Sequence, residues 1–363
     1  MSGPARKIRV LIVDDSAVIR KLVTEALTAD PQIEVIGSAQ NGQLAVERVA
    51  RLKPDAVTMD IEMPVMNGID AVRVIRRTNP RLPIVMFSTL TERGASATLD
   101  ALQAGASDYV TKPSNVSGFA QSQANVREQL IPKLKALTGI GMRPLASAPR
   151  PPAPRPAGPK AQRTGPYQAV VLGCSTGGPD ALSKVLATMP GNLAVPVVIV
   201  QHMPPVFTRL LAQRLDMICP LRVTEAVEGD EVVPGRVLIA PGGSHLEVRR
   251  RGTSVVAHLT DAPPENFCRP AVDVLFRSAV SVYADRLLAV VLTGMGRDGE
   301  KGARLVRDAG GEVIAQDEPT SVVWGMPGAV TTSGLADKVV PLDKVSAEVV
   351  ASLSRGPAPV GVG

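Results

Sequence analysis

Between Met142 and Pro166 the chain carries proline at positions 144, 149, 151, 152, 154, 156, 159 and 166. Each proline removes a backbone N–H and fixes φ, so neither a helix nor a sheet ladder can run through the stretch, and extended polyproline geometry is expected. The 363 residues are therefore expected to fold as two units on either side of it. Their total also exceeds the roughly 250 residues at which a single core stops growing. The boundaries expected are a first domain over 6–135, a proline-rich basic linker over 136–166, and a second domain over 167–356. Such a linker reaches up to about 3 Å per residue, which lets the two domains dock or separate.

The linker also explains the charge. Of a formal net charge of +6, five positive charges (Arg143, Arg150, Arg155, Lys160 and Arg163) fall between 143 and 166 with no acid among them. The remainder is nearly neutral, and aromatic residues are only 2% of the chain. A base-stacking platform is thus missing and no nucleic-acid partner is expected. The three cysteines, Cys174, Cys219 and Cys268, are odd in number and without metal-ligand spacing, so reduced thiols are expected. With no apolar run near the roughly 18 residues of a membrane span and no signal-peptide pattern, a cytoplasmic, monomeric protein is expected.

On both sides of the linker, short apolar runs alternate with helical periodicity. Before it, the runs 8–13, 34–36, 56–59, 84–87 and 109–110 give five β/α units, with helices such as Ala17 to Leu27 between them. Continuously apolar runs indicate a parallel sheet covered on both faces. After it, runs 169–172, 195–200, 287–292 and 313–315 repeat the alternation with helices such as 207–215 and 272–282. Residues 221–259 read instead as short strands and turns, and an antiparallel insertion is expected there.

In open parallel sheets, ligands bind beyond the carboxyl ends of the strands, so the residues ending successive runs form one set. In the first domain these are Asp14-Asp15, Asp60, Ser88-Thr89 and Lys112-Pro113. Three carboxylates in one place repel unless a hard cation neutralises them, and Mg²⁺ suits oxygen ligands. Asp60 can then attack a phosphoryl group to give an acyl phosphate, with the metal and Lys112 stabilising charge on the equatorial oxygens. The motifs Val13-Asp14-Asp15-Ser16, Met59-Asp60-Ile61-Glu62-Met63-Pro64 with Gly68, and Tyr109-Val110-Thr111-Lys112-Pro113 resemble the receiver domain of two-component response regulators. The resemblance implies a flavodoxin-like five-stranded sheet. It makes Asp60 the phosphoacceptor, has Asp14, Asp15 and Asp60 hold Mg²⁺, and makes Ser88 the switch hydroxyl with Thr89 as its neighbour. Tyr109 becomes the switch aromatic, and the phosphodonor a histidine kinase.

In the second domain, Gly173-Cys174-Ser175-Thr176-Gly177-Gly178-Pro179 follows an apolar run and opens a helix. That is the context of a nucleophile elbow, although a glycine-rich phosphate loop shares its glycines. A serine hydroxyl needs a base, and only His202, His245 and His258 are available. His202 ends the run neighbouring the serine turn. His245 follows a Pro-Gly-Gly turn and could line the cleft as a second candidate, and His258 reads as a sheet residue. Asp298, after the run 287–292, suits the acid that orients the imidazole, with a helix cap as its bland alternative. Cys174 is a stronger nucleophile in principle, but neighbours on an elbow point in different directions.

The order Ser, His, Asp departs from that of α/β-hydrolases. Residues 168 to about 350 resemble the catalytic domain of bacterial chemotaxis protein-glutamate methylesterases. The resemblance rests on Gly173 to Gly178, Gln201-His202-Met203, Ala240-Pro241-Gly242-Gly243-Ser244-His245, Gly294-Met295-Gly296-Arg297-Asp298-Gly299 and Trp324-Gly325-Met326-Pro327. It implies a doubly wound α/β domain with nucleophile Ser175, base His202 and orienting acid Asp298, and no esterase cofactor. Thr176 and the Met295 N–H would contribute to the oxyanion site. It also implies demethylation, and deamidation, of methyl-accepting chemotaxis receptors; for control, the unphosphorylated receiver is expected to cover the cleft and an acyl phosphate on Asp60 to open it.

Overall fold

The computed structural model describes residues 6–112, 119–140 and 163–355, so Pro113 and most of the proline-rich stretch lie outside the described residues. The chain divides into two compact units at Arg150 and Pro151. Among the described residues no helix is long and apolar enough to cross a membrane.

The first unit is a five-stranded parallel sheet. Its strands are β1 (Ile8–Val13), β2 (Ile33–Ala39), β3 (Ala56–Asp60), β4 (Ile84–Ser88) and β5 (Asp108–Thr111), in the order β2-β1-β3-β4-β5. Helices α1 (Ala17–Thr28), α2 (Gly42–Leu52), α3 (Gly68–Thr78), α4 (Glu92–Gln103) and α5 (Phe119–Thr138) connect and follow the strands. Four of these helices begin on a side-chain cap. Ser16, Asn41, Asn67 and Thr91 each accept a backbone N–H from the first turn, satisfying a donor that the helix leaves unpaired. Strand order reverses between β1 and β3, so their carboxyl ends open a crevice that carries Asp14, Asp15 and Asp60. Gly68 closes α3 onto that edge, and a Cβ there would lie 2.0 Å from the Asp60 carbonyl oxygen.

The second unit is a seven-stranded sheet. Its strands are β6 (Ala169–Cys174), β7 (Val197–Gln201), β8 (Arg222–Glu225), β9 (Arg236–Ile239), β12 (Leu287–Val291), β13 (Glu312–Gln316) and β14 (Lys338–Val340). Their order is β14-β13-β12-β6-β7-β9-β8, with every pair parallel. The remaining strands, β10 (His245–Arg251) and β11 (Ser254–Thr260), form a separate antiparallel hairpin. The antiparallel region is thus narrower than 221–259, because β8 and β9 belong to the main sheet. Strand direction leaves no trace in apolar alternation. Here the ten-residue connection from 226 to 235 is longer than a hairpin loop, and β8 and β9 pair in parallel.

Helices α6 (Gly178–Ala187), α7 (Phe207–Ile218), α8 (Val272–Tyr283), α9 (Glu300–Asp308), α10 (Met326–Thr332) and α11 (Leu342–Ser354) complete the unit. The chain enters at β6, builds outward through β7 to β9, and returns by way of α8 to β12 on the other side of β6. The topological switch therefore lies between β6 and β12, at the loops that carry Ser175 and Asp298.

Candidate functional site

In the first unit the geometry gathers the carboxylates as the sequence requires. Ligand oxygens of Asp14, Asp15 and Asp60 all lie within 4.8 Å of one another. Lys112 Nζ bridges Asp14 Oδ2 at 3.1 Å and Asp60 Oδ2 at 2.8 Å. The other oxygens are fixed by backbone: Ser16 N–H donates to Asp14 Oδ1 and Ile61 N–H to Asp60 Oδ1. Burial, reinforced by the nearby Asp14 and opposed by Lys112, pushes the Asp60 carboxyl up to about 6. Burial likewise raises that of Asp14.

A single ammonium does not offset three acids. Asp14 Oδ2, although within ion-pair reach of Lys112, is buried without a well-aligned hydrogen bond. The donor set is all oxygen, with one lone pair left over, and it fits a hard divalent cation such as Mg²⁺. A cleft of about 300 Å³ lies over it, lined in part by Asp15, Asp60, Ser88, Thr89 and Lys112. Of the two hydroxyl candidates, Ser88 is buried and donates to the Thr89 and Gly94 carbonyls, whereas Thr89 is exposed and pairs with Thr91. Tyr109 lies at the core edge, its ring 5.7 Å from Lys133 Nζ.

In the second unit, Ser175 leaves β6 with its backbone held on three sides. Its N–H donates to Thr293 O at 3.0 Å, and its carbonyl accepts Gly178 N–H at 2.7 Å and Gln201 Nε2 at 3.0 Å. Gln201 is a residue that sequence reasoning left without a role. Buried at the end of β7, it accepts the Cys174 thiol on Oε1 and donates to the Ser175 and His202 carbonyls, tying nucleophile and base turns together. A Cβ at Gly178 would strike Gln201 Oε1 at 1.8 Å, so glycine there makes room for the clamp. Cys174 is fully buried and its thiol pKa is pushed far up by that burial, which removes it as a nucleophile.

His202 and Asp298 meet at 2.8 Å through Nε2 and Oδ2. Asp298 is 3% exposed and accepts five donors. Val272 N–H and His202 Nε2 reach Oδ2, while Asp273 N–H, Gly299 N–H and Asn266 Nδ2 reach Oδ1. Two of these N–H groups open α8, so the carboxylate sits at a helix N-terminus, where negative charge is favoured. Burial alone would raise its pKa. The hydrogen bond and charge of His202, with the backbone N–H groups, outweigh burial and hold it below the ordinary value. Asp273, also buried, is shifted the opposite way, first by burial and then by Asp298, and Asn266 Nδ2 bridges the two acids. Asn266 too was missed, because a single polar residue in a loop carries no periodic signal.

An ionised Asp298 fixes the proton on Nε2, which leaves Nδ1 as the basic nitrogen. Nδ1 faces Cys268 Sγ at 3.6 Å, and among the described residues no hydrogen bond joins it to the Ser175 hydroxyl. Cysteine sulfur is a weak acceptor, so the contact favours a protonated Nδ1 and is readily displaced. For His202, burial alone would pull the pKa down; the hydrogen bonds to Asp298 and Cys268 override it and push the imidazole up to about 9.

The other expected contributors separate. Gly294 packs against the serine turn, where a Cβ would lie 2.9 Å from Ser175 Cβ, and this brings Met295 alongside. The Met295 N–H donates to no acceptor among the described residues. Thr176 is buried in the same turn and its carbonyl accepts the Thr293 hydroxyl. His245 does not line the cleft, being 1% exposed with both ring nitrogens engaged. It accepts Ala271 N–H on Nδ1 and pairs with Pro263 O through Nε2, so it clamps the 263–271 loop and has no nitrogen left to act as a base. His258 pairs with Glu228 on the hairpin.

A family model described as CheB methylesterase matches residues 170–349, and one described as response regulator receiver domain matches 10–122. The protein-glutamate methylesterase/protein-glutamine glutaminase of Nocardioides sp. (strain ATCC BAA-499 / JS614) is 56% identical over 352 residues, covering 96% of each chain. That of Trichodesmium erythraeum (strain IMS101) is 44% identical and covers 95% of this chain and 98% of its own. The crystal structure of the Thermotoga maritima CheB methylesterase catalytic domain is similar to 51% of this chain and 98% of its own, with 45% identity and a TM-score of 0.50.

Proposed function

The chain belongs to the receiver-linked CheB methylesterase family of protein-glutamate methylesterases/protein-glutamine glutaminases, and we propose that Ser175, His202 and Asp298 carry its chemistry. The observation that supports this most is the buried His202–Asp298 pair at the switch point, beside a serine turn whose backbone is fully tied down. In the reaction, Ser175 Oγ attacks the γ-carbonyl carbon of a glutamyl methyl ester while His202 Nδ1 takes the hydroxyl proton. The negative charge formed on the carbonyl oxygen is met by the Met295 N–H and the Thr176 turn. Collapse breaks the bond to the methoxy oxygen, which leaves as methanol with the proton from His202. Water, deprotonated by the same nitrogen, then releases glutamate and restores Ser175. With glutamine the leaving group is ammonia. The substrates are methyl-accepting chemotaxis receptors, and the enzyme acts from the cytoplasm as a monomer.

A base must be unprotonated, so the raised imidazole has a direct kinetic signature. We expect kcat/KM to climb about tenfold per pH unit from pH 6 towards pH 8, with an acidic limb well above the 6.5 of an ordinary imidazole. Removing the Cys268 contact removes part of the upward shift. In Cys268→Ala the limb should move to lower pH and turnover at pH 7 should rise several-fold. A limb that stays put would show that Cys268 leaves the base nitrogen untouched.

Control is assigned to Asp60. Bound Mg²⁺, held by Asp14, Asp15 and Asp60, supplies charge neutralisation for phosphoryl transfer. Lys112 stays on the phosphorylated carboxylate, and a histidine kinase is the donor. We assign phosphorylation of Asp60 the role of activating the esterase unit. A small phosphodonor with Mg²⁺ should therefore raise methanol release from methylated receptor membranes. In Asp60→Ala the stimulation should vanish while unstimulated turnover persists. Equal stimulation in the variant would remove Asp60 as the acceptor.

A further inference from the structure

The turn before α8 holds the triad at two points and presents a third side chain outward. Glu265 and Cys268 exchange backbone hydrogen bonds of 3.1 and 2.9 Å, enclosing Asn266 and Phe267. Both enclosed residues have left-handed φ, 53° and 63°, as in a type I′ turn, where glycine is the low-cost occupant and a bulky aromatic is strained. Asn266 donates to the triad acid, Cys268 contacts the triad base, and Glu265 is pinned by Arg277 of α8 through two bonds. The residue between them, Phe267, is fully exposed at 103%, whereas Phe87, Phe207 and Phe276 are at most 2% exposed. A second apolar side chain, Val322, is 42% exposed and packs against Gly177 of the serine turn. Isolated exposed apolar residues are ordinary. An aromatic in a strained turn that is fastened to both the acid and the base of a catalytic site is not.

We propose that Phe267 is a specificity-determining residue that grips the polypeptide carrying the esterified glutamate, packing on an apolar side chain within one helical turn of that glutamate. Val322 adds an apolar side chain beside the serine turn. The proposal rests on the methylesterase reading above. It gives the enzyme a reason to prefer a protein segment to a small free ester, which has no neighbouring side chain to pack on the exposed Phe267. Because the turn is anchored to Asp298 and His202, the contact adds binding energy for a segment next to the triad.

The test is methanol release from methylated receptor membranes by full-length wild type, Phe267→Ser and Phe267→Leu. In parallel, Ser175 is labelled by a small fluorophosphonate and melting temperature is measured. Burial of a phenylalanine side chain predicts that Phe267→Ser loses about tenfold or more in kcat/KM, mainly through KM. Phe267→Leu should recover most of the loss, with probe labelling and melting temperature matching wild type. The proposal is overturned if Phe267→Ser stays within about twofold of wild type, if the loss falls on kcat, if Leu does not rescue, or if labelling falls in parallel. Absence of methanol from wild type would instead sink the methylesterase reading itself.

Discussion

Replacement of Ser175 by alanine should lower methanol release from methylated receptors by about 10⁴-fold or more while leaving the melting temperature unchanged. The two halves of this expectation come from different atoms. Everything that shapes the turn is backbone: Ser175 N–H on Thr293 O, and Ser175 O under Gly178 N–H and Gln201 Nε2. Alanine keeps all of it. Only Oγ is lost, and with it the covalent route, since neither His202 nor Asp298 can form an acyl-enzyme in its place. Where serine triads act as a unit, losing the nucleophile costs nearly as much as losing the whole set, and the residue of rate enhancement comes from oxyanion stabilisation and binding. A variant retaining more than about 1% of wild-type turnover would show that Ser175 is not the nucleophile. Cys174 could not take over, because its sulfur is fully buried and donates to Gln201 Oε1.

The ends of strands were the most legible part of the sequence. Apolar runs locate β1, β3, β6, β7 and β12 because buried parallel strands cannot afford polar interruptions. Asp14, Asp60, Ser175 and His202 lie at or just beyond their ends, and Asp298 lies in the loop after β12, where the chain comes out over the sheet. Shared position at one sheet edge made the residues of each domain one set. Less legible was what holds that set. Gln201 is merely the last residue of an apolar strand, and only in three dimensions does its amide span two turns. Asn266 stands 32 residues before Asp298 and reaches it through a turn whose conformation depends on long-range anchoring. The same limit applies to His245, which followed a Pro-Gly-Gly turn as a cleft residue would, yet is buried with its ring committed to the 263–271 loop. The parallel pairing of β8 with β9 was hidden too, because four-residue strands carry composition but not direction.

Both sites answer one physical problem in different ways. In the receiver, three carboxylates share one ammonium, and the excess negative charge is left for a cation to neutralise. In the esterase domain, Asp298 and Asp273 lie together in the interior, and among the described residues no Lys or Arg pairs with Asp298. There the offset comes from four N–H donors and an imidazole. The first arrangement makes a carboxylate that waits for metal and phosphoryl group; the second makes one that stays ionised and still.

That second arrangement predicts an unusually severe outcome for Asp298→Asn, a change of nearly equal volume. Asparagine has one acceptor oxygen and two N–H donors in place of two acceptor oxygens. If the oxygen stays on the Oδ1 side, its NH₂ meets Val272 N–H and the His202 Nε2 position, donor against donor. If it turns, the NH₂ faces Asp273 N–H, Gly299 N–H and Asn266 Nδ2 instead. Either way at least one buried donor is orphaned, at roughly 1–3 kcal/mol, so the melting temperature should fall. In the first orientation the imidazole must move its proton to Nδ1, which destroys the basic lone pair, and a wrong tautomer of this kind costs about 10⁴ in kcat in a serine triad. We therefore expect kcat to fall by about that factor, with KM little changed. Nitrogen NMR of the His202 ring should show the proton shifted from Nε2 to Nδ1. A variant with less than a tenfold loss in kcat would mean that Asp298 serves only to cap α8 and that the imidazole is oriented by some other group.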